Sequence, residues 1–294
     1  MKPTTLLFTL LVCVPLYAPA LDNAKIEELT GLNGTFNESE KVFKVTFPRG
    51  DLGVIIDEWK MPAFMGLTSW AAFTEGKTAE AMVMGDFVLM QDEVNPVMSA
   101  LLDAGLSVTA LHNHFFYDEP KAYFMHIAGE GTTEKLAQAV RAGMDKVKSI
   151  RAAAPQPVKS FGGGIPEKSS VSAASLVAVL GGKPQEKDGM VKFVIGRTAK
   201  MSCGCEIGKE MGVNTWAAFA GTDENAVVDG DFCCLESELQ SVLKKLRAGG
   251  INIVAIHHHM TMEEPRYLFL HYWGRGKAAE LAGVLKSALD VQGK

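Results

Sequence analysis

The sequence has no excess of basic residues. Its 294 residues carry 29 Lys and Arg against 34 Asp and Glu, a formal net charge of −5. A nucleic-acid partner is therefore not expected, because neutralising phosphates needs a basic face. No internal run of 18 or more apolar residues occurs, so no integral membrane span is expected in the body of the chain. Glycine (29) and proline (12) are too scarce for a collagenous or disordered chain. Also missing are a nucleophile elbow, a Ser-His-Asp signature and a His-Glu-x-x-His helix. What remains is a globular composition, 47% hydrophobic, enough for one or two cores.

Residues 1–20 read as a secretory signal peptide: Lys2 opens it, Thr4–Tyr17 is largely apolar, and Ala18-Pro19-Ala20 offers small residues for cleavage. A periplasmic or secreted protein follows. Cys13 lies in the apolar run behind Leu10-Leu11-Val12, a poor setting for lipid attachment. Four cysteines then remain. In an oxidising compartment a bridge from Cys203 or Cys205 to Cys233 or Cys234 is expected, with a thiolate metal site as the alternative.

The chain is written twice. Ser69-Trp70-Ala71-Ala72-Phe73 returns as Thr215-Trp216-Ala217-Ala218-Phe219, and Gly85-Asp86-Phe87 as Gly230-Asp231-Phe232. Ala110-Leu111-His112-Asn113-His114 returns as Ala255-Ile256-His257-His258-His259, Glu119-Pro120 as Glu264-Pro265, and Phe124-Met125-His126 as Phe269-Leu270-His271. From Gly85 onward the offset is constant, as from His112 to His257. Lys44 and Arg49 match Lys192 and Arg197. The Pro/Gly/Ala-rich stretch 152–168 reads as a linker between a first repeat, 21–151, and a second, 169–294.

In the first repeat, alternation predicts strands over 42–47, 54–58, 69–73, 81–90, 107–115 and 122–128. Helical periodicity predicts helices over 24–30, 95–104 and 132–147; the second repeat follows the same order, with helices over 236–248 and 277–289. The expected fold class is α+β: a tandem duplication of an antiparallel-sheet domain with helices packed on one face. Trp70 and Trp216 are expected to anchor the core.

All seven histidines fall in the two repeated hairpins. Side chains two apart on a strand share a face, so His112 projects with His114 and His257 with His259, while His258 turns away. A turn at Glu119-Pro120 returns His126 beside the first pair, and the same geometry serves His271. These six histidines are candidate metal ligands. Glu119 and Glu264 are candidate catalytic carboxylates, as a further ligand or as a general base to a metal-bound water. Asp86, Asp118, Asp231 and Glu263 are other carboxylates within reach. Imidazoles with a carboxylate suit zinc first; the nearby Met125, Met260 and Met262 make copper second. A histidine-lined site for an organic or anionic small molecule is the metal-free alternative.

With Ala-Leu-His-Asn-His, Glu-Pro and Phe-Met-His in one copy, and Ala-Ile-His-His-His, Glu-Glu-Pro and Leu-His-Tyr-Trp-Gly in the other, the chain resembles the LppY/LpqO family, also known as domain of unknown function 1259. That resemblance implies an exported bacterial protein, often described as lipoprotein-like, and implies no particular reaction. A looser similarity to the first cupin motif lacks the second motif, and helices alternate with strands here. The expected function is binding of a transition-metal ion by paired His-x-His…Glu…His hairpins. The alternatives are a metal-dependent hydrolase acting outside the cytoplasm and a non-metal ligand-binding module.

Overall fold

Alternating apolar and polar residues build β-strands here, most plainly over 68–75 and 214–221, where every second side chain is buried. A computed structural model of the chain describes residues 21–293; the expected signal peptide and Cys13 lie outside them. The first repeat runs α1 (Asn23–Thr30), β1 (Gly34–Asn37), β2 (Val42–Pro48), β3 (Ile55–Ile56), β4 (Trp59–Lys60), β5 (Thr68–Glu75), β6 (Ala81–Met90), α2 (Val94–Asp103), β7 (Ser107–Asn113), β8 (Asp118–Glu119), β9 (Ala122–Gly131) and α3 (Thr133–Ala153). The second runs α4 (Ala173–Leu180), β10 (Gln185–Lys187), β11 (Met190–Gly196), β12 (Ala199–Lys200), β13 (Glu206–Ile207), β14 (Asn214–Gly221), β15 (Ala226–Leu235), α5 (Leu239–Ala248), β16 (Asn252–His257), β17 (Tyr267–Gly276) and α6 (Ala278–Leu289). This is the duplicated α+β fold the sequence predicts.

Twelve strands join into one antiparallel sheet, ordered β1-β2-β5-β6-β9-β7-β16-β17-β15-β14-β11-β10. The order reads the same from either end, and β7 meets β16 in the middle at Leu111 and Ile256. Phe43, Val45, Phe73, Val83, Phe87 and Ile127 enter the main core with Leu101, Val140 and Met144 of the helices. Their strand neighbours Lys44, Trp70, Asp86 and His126 therefore take the other face. Two smaller clusters lie under loops on that face. One joins Leu52, Val54 and Leu67 to Val88, Met90 and Phe124. The other joins Ala199, Ile207 and Val213 to Cys233, Tyr267 and Phe269.

Three expectations change. The run 54–58 is not one strand, because Asp57 and Glu58 take left-handed backbone (φ 48° and 65°) and turn the chain between β3 and β4. The helix expected over 132–147 continues to Ala153, its first turn capped by Thr132, which accepts the Lys135 N–H. Among the described residues no disulfide forms: Cys203, Cys205, Cys233 and Cys234 are all free. Cys203 and Cys205 are exposed, whereas Cys233 and Cys234 are buried in β15. Burial pushes both buried thiols up to about 12.

Each repeat ties its β-turn region to a helix start through a buried ion pair. Arg49, 1% exposed, donates twice to the fully buried Glu93 (2.7 and 2.9 Å), and Glu93 also accepts the Met90 N–H at 2.8 Å. Arg197 and Glu238 repeat the fork at 2.5 and 3.2 Å, with Arg197 more exposed at 22%.

The seam between the repeats is crossed by a reciprocal pair of amides. β7 carries a register shift between Val108 and Ala110, and β16 one between Ile253 and Ala255. A shift of this kind disturbs ladder pairing. Asn95, from α2, accepts the Ile253 N–H (2.7 Å) and donates to its carbonyl (3.0 Å). Gln240, from α5, does the same for Val108 (3.0 and 2.8 Å). Each repeat thus satisfies the irregular strand of the other.

Candidate metal centre

The register shifts reset the strands so that Ala110 lies opposite His126 and Ala255 opposite His271. Leu111 and Ile256 then point into the helix-side core, and the adjoining histidines take the helix-free face. On the far side of the returning strands, His126 pairs with Asp86 and His271 with Asp231. Both aspartates sit in mid-strand, each behind a glycine that has a steric reason. A Cβ on Gly230 would stand 2.1 Å from the Tyr272 hydroxyl and 2.3 Å from the Trp216 carbonyl; on Gly85 it would stand 2.7 Å from the Trp70 carbonyl.

In the second repeat, Asp231, His257 and His259 converge, with a ligand atom of each within 4.8 Å of the others. Among the described residues, no other trio of such side chains meets that spacing. His259 Nε2 is 2.9 Å from Asp231 Oδ2, and its Nδ1 is 3.2 Å from the Gly212 carbonyl. The backbone contact orients the ring, as histidine ligands require. Its flat face lies on Phe269, centroids 3.5 Å apart. His271 stacks on His257 at 4.5 Å. Asp231 is 3% exposed, yet its Oδ1 has no hydrogen-bond partner, and neither has the buried Nδ1 of His257. Burial lowers the His257 pKa, against the opposing pull of Asp231. A neutral imidazole is the form that binds a metal.

The first repeat gathers its side chains differently. His112 Nε2 and His126 Nε2 are 3.2 Å apart, while His112 Nδ1 is 3.0 Å from the Asn113 carbonyl. His114 leans away, its ring packed on Phe124 (4.6 Å) and Phe115 (4.9 Å). Asp86 Oδ1 is buried without a partner. Burial raises the Asp86 pKa, partly offset by His126, His112 and His114.

Glu119 and Glu264 do not join these groups. Glu119 is 72% exposed and faces Lys159 at 3.4 Å. Glu264 is exposed and is held by its backbone, which exchanges two 2.8 Å bonds with Lys200. The carboxylates beside the histidines are Asp86 and Asp231 instead. Their matched positions opposite histidine-bearing strands were the available signal. Asp118 and Glu263 serve the turns, accepting the Ala122 and Tyr267 N–H groups at 2.7 and 3.1 Å. His258 is exposed. Trp70 and Trp216 are half-buried on the helix-free face rather than in the core, each beneath a lysine: Lys44 and Lys192 place Nζ 4.4 Å from the ring centroids.

The donor set fits a divalent cation. Two donors held about 2.0–2.1 Å from a tetrahedral zinc lie about 3.3 Å apart. The 2.9 Å pair in the second repeat and the 3.2 Å pair in the first are close to that span. A cation would also satisfy the buried atoms that have no partner.

No helix of the described residues is long and apolar enough to cross a membrane. No curated protein matches the chain. Among solved structures, it is similar to a trimeric bacterial microcompartment shell protein, PduB, with 12% identity over 88% of this chain and 89% of that one, at a TM-score of 0.23. A double-ringed trimeric shell protein from the RMM microcompartment is similar with 12% identity over 76% and 82%, at a TM-score of 0.16. Scores this low establish no common fold. The sequence profile described as Domain of Unknown Function (DUF1259) matches residues 24–146 and again 174–291, one match per repeat, and the chain belongs to that family.

Proposed function

We propose that this chain is an exported transition-metal-binding protein, acting in the periplasm or outside the cell. Its principal centre is Asp231, His257 and His259, with His271 as the adjoining donor. The first repeat offers a second, looser centre at His112 and His126, with Asp86 and His114 beside it. Zinc suits two imidazoles and a carboxylate best, and copper next. One observation carries this reading: a buried carboxylate and two imidazoles converge while Asp231 Oδ1 and His257 Nδ1 lack any partner.

Elemental analysis of the chain from Leu21 onward, after zinc loading and desalting, tests it. Bound zinc is expected in the wild type, with strong loss in a His257→Ala/His259→Ala variant and partial loss in His112→Ala/His114→Ala/His126→Ala. No retained metal in the wild type under zinc or copper loading would end the proposal and leave the histidines as a site for an organic or anionic ligand.

A second reading, a metal-dependent hydrolase with an extracytoplasmic substrate, is favoured by the exposure of His259 and His271. That opening leaves room for a metal-bound water, whose proton a bound zinc makes easy to lose near neutral pH. Ester or phosphoester hydrolysis that appears on zinc addition and vanishes in His257→Ala/His259→Ala would establish it.

A further inference from the structure

The second repeat carries cysteines that the first lacks. In the first repeat the hairpin β3–β4 turns on Asp57 and Glu58. In the second, the matching hairpin β12–β13 turns on Met201-Ser202-Cys203-Gly204-Cys205. Two backbone bonds close this turn: Met201 N–H to the Cys205 carbonyl (2.9 Å) and Gly204 N–H to the Met201 carbonyl (2.8 Å). Gly204 has φ +83°, a conformation side-chain-bearing residues rarely adopt. The Cys205 N–H points at Cys203 Sγ, 3.4 Å away. Both cysteines are free and exposed. Lys200 runs back over the turn, its Cε 4.0 Å from where a Cβ of Gly204 would stand. The hairpin is anchored at its base by the two bonds between Lys200 and Glu264.

We propose that Cys203 and Cys205 form a dithiolate site for a soft monovalent cation, copper(I), separate from the histidine–aspartate centre. Thiolates are soft donors that suit copper(I), and two sulfurs alone fall short of the four donors a structural zinc takes. On binding, each thiol loses its proton to solvent and forms one sulfur–copper bond. No electron is transferred, and the single negative charge of the resulting unit lies beside Lys200. A turn already closed by its own backbone bonds loses little entropy when the two sulfurs engage one ion.

The test uses the reduced chain from Leu21 onward under anaerobic conditions, titrated with copper(I) held by a chromogenic chelator. The wild type is expected to withdraw a single tight equivalent, which Cys203→Ser/Cys205→Ser weakens by about 100-fold or more, beyond the loss that outer contacts alone cause. Asp231→Asn/His257→Ala/His259→Ala should retain that equivalent while losing zinc, so the two sites fail independently. A thiol-reactive chromogenic disulfide should find two fast thiols in the native chain and none after copper(I) is added. Both cysteines are exposed, so the double serine variant should melt with the wild type. Equal copper(I) uptake by the wild type and the double serine variant would overturn the proposal. So would loss of the tight equivalent in the histidine–aspartate variant alone.

Discussion

The two repeats use one scaffold and differ in how they finish it. Both place an aspartate opposite a histidine across a strand pair, a lysine over a tryptophan, and an arginine–glutamate fork at the base of a loop. The first repeat buries its fork more completely and brings His112 to His126 rather than a histidine onto its aspartate. The second draws His259 onto Asp231 and sets a pair of thiols at its hairpin tip. Shared positions serve the common frame, and divergence collects in the loops that rim the helix-free face.

The largest contrast should be in stability. Glu93→Ala leaves Arg49 charged and buried without its main partner, at a cost of about 3–5 kcal/mol. Glu238→Ala should cost only about 1–3 kcal/mol, because Arg197 retains contact with water. Urea unfolding of the two variants measures both, and equal losses would contradict the difference in burial. Metal affinity comes next. Calorimetric zinc titration of His257→Ala/His259→Ala should show a loss of about 100-fold or more, against a smaller loss for His112→Ala/His126→Ala. The reverse order would make the first repeat the principal centre.

The seam amides rank third. Asn95→Ala strands the buried Ile253 N–H and should cost about 1–3 kcal/mol. Gln240→Ala should cost less, since Gln240 is only half-buried and water can replace it. Thermal melts of each variant and of the double variant would show whether the two clamps act independently.

The smallest effects are on pH dependence in metal-free protein, and they carry opposite signs. His257 has a folded pKa below the ordinary 6.5. The unfolded chain therefore takes up the proton first, and the stability present above pH 6.5 is lost as pH falls through the folded value. His257→Gln should flatten that decline. Asp86 has a folded pKa above the ordinary 3.8, so its contribution is lost as pH rises through the folded value. Asp86→Asn should raise the melting temperature at neutral pH and leave it nearly unchanged below pH 3.

Much of this was legible in the sequence. The repeat offset gave the duplication, and two-residue alternation placed β6 over 81–90; His114 and His259 fall just past the ends of β7 and β16, where strand alternation no longer sets a side chain's direction. Glu119 and Glu264 stand apart from the histidines because adjacency along a hairpin differs from adjacency across strands, which brings Asp86 and Asp231 there instead. Pairing Asp86 with His126 depends on strand order, which a single sequence carries only through its repeated Gly-Asp-Phe. The two tryptophans were misplaced because bulk alone suggests burial; their register with Asp86 and Asp231 sets them on the opposite face. The disulfide failed because Cys233 and Cys234 lie inside a long strand, each shielded from the exposed turn that holds the other pair.

The reciprocal amides at the seam bear on how such a chain arises and how it can be cut. A lone half would end in an irregular edge strand whose backbone groups have nothing to meet. It could complete itself only against a twin in the same two-fold manner. Joining two such halves through the segment between α3 and α4 makes that pairing permanent and frees each half to specialise. Halves produced separately should accordingly be recovered together rather than alone.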